Sequence, residues 1–194
     1  MYDPKHKILF VHIAKTGGSS ISNYYGECRA NIKSSTNIQF WEEYLNYHLY
    51  KNMGSDPHMW IRGYEEFLNL DDYFKFTIFR DPAEYVQSSF HEFPQAYNSK
   101  DFDEFILSEE FINTIDKQYD HIIDSKGKER IDKVFKFEKL YQVFIFISHC
   151  IFNQFPHQIP HLQSTNRQPE KLIPEIKQKI YKTFSQDYEY WKSL

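Results

Sequence analysis

The chain has 194 residues, of which 41% are hydrophobic and 19% aromatic. This length predicts one domain over residues 1–194, and the composition suffices for a packed, largely aromatic core. The net charge of −4 gives no overall basic field, which disfavours a nucleic-acid-binding protein and requires any anion site to be local. Cys28 and Cys150 form neither a disulfide framework nor a metal-binding pattern, and we expect both to be small buried residues.

Membrane and secretory segments are not predicted. Residues 1–7 are charged and lack the apolar run of a signal peptide. The longest apolar stretch, residues 143–152, is too short to span a bilayer and is typical of a buried helix. We therefore expect a soluble, cytoplasmic protein.

A strand, a glycine turn and a helix start follow one another in residues 8–25. The apolar run Ile-Leu-Phe-Val at residues 8–11 is typical of a strand, Lys15-Thr16-Gly17-Gly18-Ser19-Ser20 follows, and residues 21–25 can continue as a helix. Free N–H groups at a helix start and the helix dipole favour a phosphate-like anion, and glycine allows close approach. Lys15 adds a positive charge, and the serine and threonine hydroxyls add donors.

This segment differs from the common nucleotide-binding loop, in which the glycines precede the lysine. Here Lys15 precedes Gly17 and Gly18. The order disfavours a Walker-type ATPase or kinase. A plain strand-to-helix turn with a solvated lysine is the alternative, since glycine pairs are common in turns.

A second strand, turn and helix follow further along the chain. Residues 40–53 have a mixed helical pattern, residues 54–57 form a break, and residues 64–70 suggest a short helix. Residues 73–79 are rich in strand formers, and Arg80-Asp81-Pro82 then begins a helix over residues 83–93. Repeated strand–helix units predict an α/β fold with a parallel sheet, and both turns should lie at its carboxyl edge.

The spacing of apolar residues predicts the secondary structure of the remaining segments. We expect two short helices within residues 101–115, split near Ser108, and an apolar helix over residues 138–152. Strands are predicted at residues 119–124 and 134–137, a proline-bounded loop at residues 155–169, and an amphipathic helix at residues 172–184.

The two motifs together resemble those of the carbohydrate sulfotransferases, in the branch that includes heparan sulfate 2-O-sulfotransferases and many small bacterial members. HIAKTGGSS at residues 12–20 resembles the family's 5′-phosphosulfate loop. FKFTIFRDPAEYVQSSF at residues 74–90 resembles its 3′-phosphate motif, with a serine eight residues after the arginine. VFKFEKL at residues 134–140 and FSQDYEYW at residues 184–191 are also similar to family segments. The resemblance implies a P-loop-like three-layer fold with a central parallel sheet flanked by helices.

The resemblance implies a sulfotransferase that moves a sulfuryl group from 3′-phosphoadenosine 5′-phosphosulfate (PAPS) to a carbohydrate hydroxyl or amine. Lys15 would contact the bridging oxygen and the 5′-phosphate, and the N–H groups of residues 16–20 would hold the same phosphate. Arg80 and Ser88 would hold the 3′-phosphate. No metal is expected, because the lysine and the helix dipole supply positive charge and the scattered His and Cys residues form no ligand cluster.

An acceptor hydroxyl needs a general base, and His58 is our candidate because family members often carry a histidine in this segment. A surface histidine is the alternative, since the chain has nine His. The rival acid–base groups are Glu42, Glu43 and His48. We expect His12 to be structural.

Three further positions are open to two interpretations. Arg167 lies in a polar loop of the kind that closes over the nucleotide in the family, although a solvated loop fits as well. Trp41 and Trp60 could stack on a sugar or belong to the core. Tyr85 stands where many members have a second arginine, which either reduces the charge around the 3′-phosphate or only changes packing.

Two other functions remain open. One is a nucleotide phosphotransferase with a degenerate phosphate loop, and the other is a non-catalytic module that binds the donor or its desulfated product. The acceptor and the oligomeric state cannot be read from the sequence, because the acceptor groove would be built from loops, here residues 29–60 and 98–117.

Overall fold

The structure is a computed structural model. The residues that it describes are 1–32, 58–92, 101–108, 110–155 and 171–194, with the backbone alone at residues 29–32. The predicted helix at residues 40–53 lies outside them, as does the predicted loop at residues 155–169 except for its first residue.

Each of the three longer strands is followed by one or more helices. In chain order, the strands and α-helices are β1 (Tyr2–Asp3), β2 (Ile8–Val11), α1 (Gly18–Ile32), α2 (Ile61–Glu65), β3 (Phe74–Phe79), α3 (Pro82–Glu92), α4 (Phe102–Leu107), α5 (Phe111–Thr114), β4 (Lys133–Lys136), α6 (Leu140–Ile145), α7 (Pro174–Thr183) and α8 (Ser185–Ser193). Short 3₁₀ turns occupy Leu70–Asp72, Tyr119–His121 and Phe137–Lys139, and a π-helix follows α6 at Phe146–Ile151.

The strands form one mixed sheet in the order β1-β2-β3-β4. β2, β3 and β4 are parallel, with Val11 beside Thr77 and Ile78 beside Phe135. β1 is a two-residue antiparallel edge strand, pairing Tyr2 with Leu9. The predicted α/β class is confirmed, and the sheet differs from a purely parallel one by this short edge strand.

Both faces of the sheet are covered by apolar side chains, because neighbouring residues of a strand point to opposite faces. On one face, Phe10 and Phe76 pack with Tyr24 of α1 and Phe144 of α6. On the other face, Leu9 and Val11 pack with Ile61 and Tyr64 of α2. All four residues of β2 are buried, as expected for the interior strand of such a sheet.

A third apolar cluster lies beyond the carboxyl end of β3. It joins Phe79, the buried side of α3, the short helices α4 and α5, and Ile176 and Ile180 of α7. This cluster fixes α3 relative to the sheet. It therefore sets the position of the residues that precede and end α3.

Several local predictions are confirmed with shifts of one or two residues. They are the strand at residues 8–11, the strand at residues 73–79, the helix after Pro82, the two short helices split at Ser108, the strand near residue 134 and the helix near residue 174. The short helix predicted at residues 64–70 instead covers Ile61–Glu65, because the Asn69 side chain accepts from Asp71 N and begins a separate 3₁₀ turn.

Four predictions are wrong or incomplete. Residues 119–124 do not form a strand; Tyr119–His121 is a 3₁₀ turn. The apolar helix predicted at residues 138–152 is divided into a 3₁₀ turn, α6 and the π-helix. Helix α8 was not predicted. Cys28 is buried as expected, but Cys150 is exposed.

Among the described residues, no helix has the length and apolar character that crossing a membrane requires.

Candidate functional site

The residues between β2 and α1, residues 12–20, form the Lys15 loop. Lys15 and Gly17 adopt positive φ angles of 59° and 83°. Glycine tolerates this conformation, whereas lysine adopts it only with backbone strain. Gly17 O accepts the first helical bond, from Ile21 N at 3.2 Å. The N–H groups of residues 18–20 therefore have no acceptor within the helix, and the first turn of α1 holds no acidic residue. The start of α1 suits an anion.

The loop is packed closely from two sides. A Cβ atom on Gly18 would lie 1.9 Å from the His12 ring, so this position requires glycine. A Cβ atom on Gly17 would meet Leu140 and Phe137 at 3.1 and 3.2 Å. The loop backbone is thus held between the end of β2 and the segment that follows β4.

The hydroxyls of the loop differ in their availability. Thr16 is fully buried, and its hydroxyl donates to Ile13 O at 2.7 Å. Its hydroxyl is therefore already engaged within the loop. Ser19 is exposed and Ser20 is half-buried.

The second turn, residues 80–82, joins β3 to α3 and is called the Arg80 turn. Asp81 caps α3, since its Oδ1 accepts from Ala83 N at 2.7 Å and from Glu84 N at 3.2 Å. Pro82 is the first residue of α3, where its missing N–H has no consequence. The local sequence therefore fixes where the strand ends and the helix begins.

The backbone of Arg80 is held by a side chain from a distant segment. Gln118 Oε1 accepts from Arg80 N, and Gln118 Nε2 donates to Arg80 O, both at 2.9 Å. The N–H groups of Gln118 and Tyr119 in turn donate to the buried Asp187 carboxylate at 2.8 Å. This contact from α8 explains why residues 119–121 form a turn and not a strand.

The two turns meet at the carboxyl edge of the sheet, as predicted. Arg80 Nη1 donates to Lys15 O at 3.2 Å. The Arg80 guanidinium also lies 4.4 Å from the centre of the Phe137 ring, and a Cβ atom on Gly17 would meet this ring at 3.2 Å. The first and second motifs are therefore parts of one surface.

Each cation of this surface has a carboxylate partner on α3. Lys15 Nζ lies 3.0 Å from Glu92 Oε2, and Arg80 Nε lies 3.3 Å from Glu84 Oε2. The glutamate side chains are 49% and 45% exposed. Pairs this exposed stabilise a protein by about 0–1 kcal/mol, so a strongly charged ligand can replace either carboxylate.

Ser88 lies between these two carboxylates along α3. Positions 84, 88 and 92 are four residues apart and share one helix face, and Ser88 is half-buried on it. The residues on the other faces of this helix are mostly buried, including Tyr85 and Val86. The helix therefore presents Ser88 on the same face as the partners of Lys15 and Arg80.

Tyr85 belongs to the core. It is 3% exposed, and its hydroxyl donates to Asp116 O at 3.0 Å. Of the two interpretations of this position, the structure favours a change in packing.

His12, the first residue of the Lys15 loop, lies beside His58. Their ring centres are 4.3 Å apart, and His58 Nδ1 donates to His12 O at 3.3 Å. Burial, together with the nearby His58, lowers the pKa of His12 to about 3. His12 is therefore neutral at physiological pH and fills the space beside Gly18, which agrees with its predicted structural role.

The Trp60 ring packs against His121 and Arg62. Its ring is 5.1 Å from the ring of the buried His121, and the Arg62 guanidinium lies 3.8 Å from the Trp60 ring centre. Trp60 is half-buried. These contacts neither include the Lys15 loop nor decide between a sugar-stacking and a packing role.

Some predicted site residues lie outside the described residues. They are Arg167, Trp41, Glu42, Glu43 and His48. Within the part of the chain that the structure does describe, no group of three or more His, Cys, Asp or Glu residues could hold a metal ion.

Sequence reasoning missed three residues of this surface. Glu92 was not predicted to contact Lys15 because the two residues are 77 positions apart. Phe137 and Gln118 contact Arg80 from segments that the sequence does not connect to it. The similarity of residues 134–140 and 184–191 to family segments was the available signal, since both stretches brace the Arg80 turn.

Comparison of the chain with models of known protein families, with curated proteins and with solved structures finds no match.

Proposed function

We propose that the protein is a sulfotransferase that moves the sulfuryl group of PAPS to a hydroxyl or amine of a carbohydrate, on a P-loop-like sulfotransferase fold. The observation that supports this most is the contact between the two motifs, in which Arg80 donates to the carbonyl of Lys15. A donor with charged groups at its 5′ and 3′ positions needs two separate cationic contacts on one surface. The Lys15 loop and the Arg80 turn supply them.

The proposed roles follow from the chemistry of each group. The N–H groups at the start of α1 and the Lys15 ammonium bind the 5′-phosphosulfate, and Lys15 stabilises charge on the bridging oxygen as its bond to sulfur breaks. The Arg80 guanidinium and the Ser88 hydroxyl bind the 3′-phosphate, for which a planar fork of donors is better suited than an ammonium. Arg167 is proposed to add a donor contact.

The reaction itself resembles phosphoryl transfer, in which the protein mainly aligns the reactants and stabilises charge. The acceptor oxygen forms a bond to sulfur while the bond from sulfur to the bridging oxygen breaks. The electron pair of that bond leaves with the 5′-phosphate of 3′-phosphoadenosine 5′-phosphate (PAP). His58 is the base proposed from the sequence, and its Nδ1 donates to His12 O.

The test is to measure binding of PAP by calorimetry and transfer of labelled sulfate from PAPS to unsulfated heparosan, chondroitin and chitin oligosaccharides. We expect the wild-type protein to bind PAP and to label at least one oligosaccharide. Lys15→Ala should lower transfer by about 10²-fold or more, as loss of an electrostatic contact to the leaving group does. Lys5→Ala, which removes an exposed lysine elsewhere, is the matched control and should change neither result.

Absence of PAP binding by the folded protein would contradict the proposal. Binding of PAP without transfer to any oligosaccharide would instead favour the non-catalytic donor-binding module. Magnesium-dependent turnover of ATP would favour the phosphotransferase, although the order of lysine and glycines argues against it.

A further inference from the structure

The ion pair between Lys15 and Glu92 places a carboxylate at the centre of the proposed reaction. Lys15 Nζ and Glu92 Oε2 are 3.0 Å apart. The pair links the loop to the last residue of α3. Glu92 is the described carboxylate nearest to the ammonium on which the bridging oxygen of the donor is proposed to lie.

This carboxylate is free to change partners. The Glu92 side chain is about half exposed, whereas that of Lys15 is 22% exposed. An exposed pair of this kind is weak, and a donor that carries several negative charges competes strongly for the lysine. Once Lys15 turns to the donor, Glu92 keeps its position on α3 but loses its counter-ion.

We infer that Glu92 is the general base that takes the proton of the acceptor, an inference that rests on the proposed function. As the acceptor oxygen forms its bond to sulfur, the acceptor O–H (or N–H) proton passes to a Glu92 carboxylate oxygen. The bond from sulfur to the bridging oxygen breaks, and its electron pair leaves with the 5′-phosphate beside Lys15. The protonated Glu92 then releases the proton to water.

An in-line displacement fixes where the base of this step must lie. In an in-line displacement the acceptor oxygen lies on the side of sulfur opposite the bridging oxygen, with reacting atoms about 3–3.5 Å apart. A base must come within about 2.6–3.2 Å of the atom that it deprotonates. Glu92 Oε2 lies 3.0 Å from Lys15 Nζ, so its exposed side chain must rotate past the sulfuryl group to reach the acceptor once the ion pair breaks.

His58 packs against a different part of the Lys15 loop. Its ring packs against His12, which in turn fills the space beside Gly18. The Lys15 ammonium is instead directed to α3. The structure thus connects Glu92, by a direct contact, to the group that stabilises the leaving oxygen.

The experiment compares Glu92→Gln, Glu92→Asp and His58→Gln in the full chain. For each variant we would measure the affinity for PAP by calorimetry and the rate of labelled sulfate transfer from PAPS to the oligosaccharide that the wild type labels fastest. Glu27→Gln, which removes an exposed carboxylate on α1, is the matched control and should leave both values unchanged.

We expect Glu92→Gln to lower turnover by about 10²–10⁴-fold while PAP binds as tightly as to the wild type or more tightly, since a competing carboxylate is removed. Glu92→Asp should retain more turnover than Glu92→Gln, which separates loss of the carboxylate from loss of folding. Turnover of Glu92→Gln within two-fold of wild type, or a comparable loss in His58→Gln alone, would overturn this inference and leave the proposed function standing. A wild-type protein that binds no PAP, or binds it without transfer, overturns both.

Discussion

The space beside Gly18 is filled by the imidazole of His12, and this single contact determines what the first residue of α1 can be. A methyl group there would lie 1.9 Å from the ring. Because His12 also packs on Phe10 and His58, the ring has little room to move. The glycine therefore serves a packing requirement as well as any approach of a ligand.

We predict that Gly18→Ala lowers the free energy of unfolding by about 1–3 kcal/mol, the usual effect of overpacking. The measurement is urea denaturation followed by circular dichroism. Gly26→Ala is the matched control, since a Cβ atom at Gly26 in the same helix meets nothing within 4 Å. It should raise stability by about 0.5–1 kcal/mol, because alanine is the better helix former.

A double-mutant cycle can test whether the His12 ring causes the destabilisation by Gly18→Ala. In a His12→Ala background, Gly18→Ala should destabilise the protein much less, because the clashing ring is gone. Equal destabilisation in both backgrounds would show that another contact is responsible.

Helix α3 is the element on which the candidate site depends. Its start is fixed by Asp81 and its buried face by the apolar cluster beyond β3. The same Asp81 accepts a hydrogen bond from the hydroxyl of Tyr181 in α7 at 2.7 Å. One carboxylate thus begins one helix and attaches another, and burial together with this bond raises the pKa of Tyr181.

We predict that Asp81→Ala lowers the free energy of unfolding by about 2–3 kcal/mol, the sum of a lost helix cap and a lost buried hydrogen bond. Tyr181→Phe, which removes only the second interaction, should have about half that effect. Asp101→Ala is the control, since Asp101 caps α4 at an exposed position through Asp103 N, and it should cost about 1 kcal/mol. If Asp81→Ala were no worse than Asp101→Ala in urea denaturation, the linking role of Asp81 would be wrong.

At the scale of the whole molecule, the carboxyl-terminal helix braces the site through a chain of contacts. Asp187 of α8 holds the backbone of residues 118 and 119, and Gln118 holds Arg80. Burial raises the pKa of Asp187 to about 6 and, on the other side of the site, lowers the pKa of His12 to about 3. Two buried groups therefore couple the stability of the molecule to pH with opposite signs.

For His12, the unfolded chain takes up a proton below about pH 6.5 while the folded protein does so only near pH 3. The contribution of His12 to stability therefore decreases as the pH falls through this window, by about 2 kcal/mol between pH 7 and pH 5. We predict that, on going from pH 7 to pH 5, the wild type loses about 2 kcal/mol more unfolding free energy than His12→Gln, because glutamine does not titrate. Urea denaturation at the two pH values measures it.

Asp187 is a control for this prediction, because its effect on stability changes with pH in the opposite direction. Its pKa is raised on folding, so the folded state takes up the proton first, and stability from this group increases as the pH falls from about 6 to about 4. Asp187→Asn should remove that increase and make the protein more sensitive to acid than the wild type. A His12→Gln protein with the same dependence on pH as the wild type would show that His12 does not titrate as stated.

Features that depend on neighbouring residues could be predicted from the amino-acid sequence. The run at residues 8–11, the glycine turn after it and Pro82 after Asp81 are local signals, so both strand–turn–helix units and their common sheet edge were predicted. A parallel sheet then places two such turns at one edge by topology alone. The α/β class followed from the same units.

The side chains that complete the surface come from distant segments and could not be predicted from the sequence. Glu92 reaches Lys15 because the apolar cluster under α3 sets the direction of that helix, and neither residue carries a local signal of the other. Residues 119–121 form a turn because Asp187 binds the N–H groups of Gln118 and Tyr119 from 69 and 68 residues away. Burial and hydrogen bonding between distant segments thus override local strand propensity, since such contacts exist only once the chain has folded.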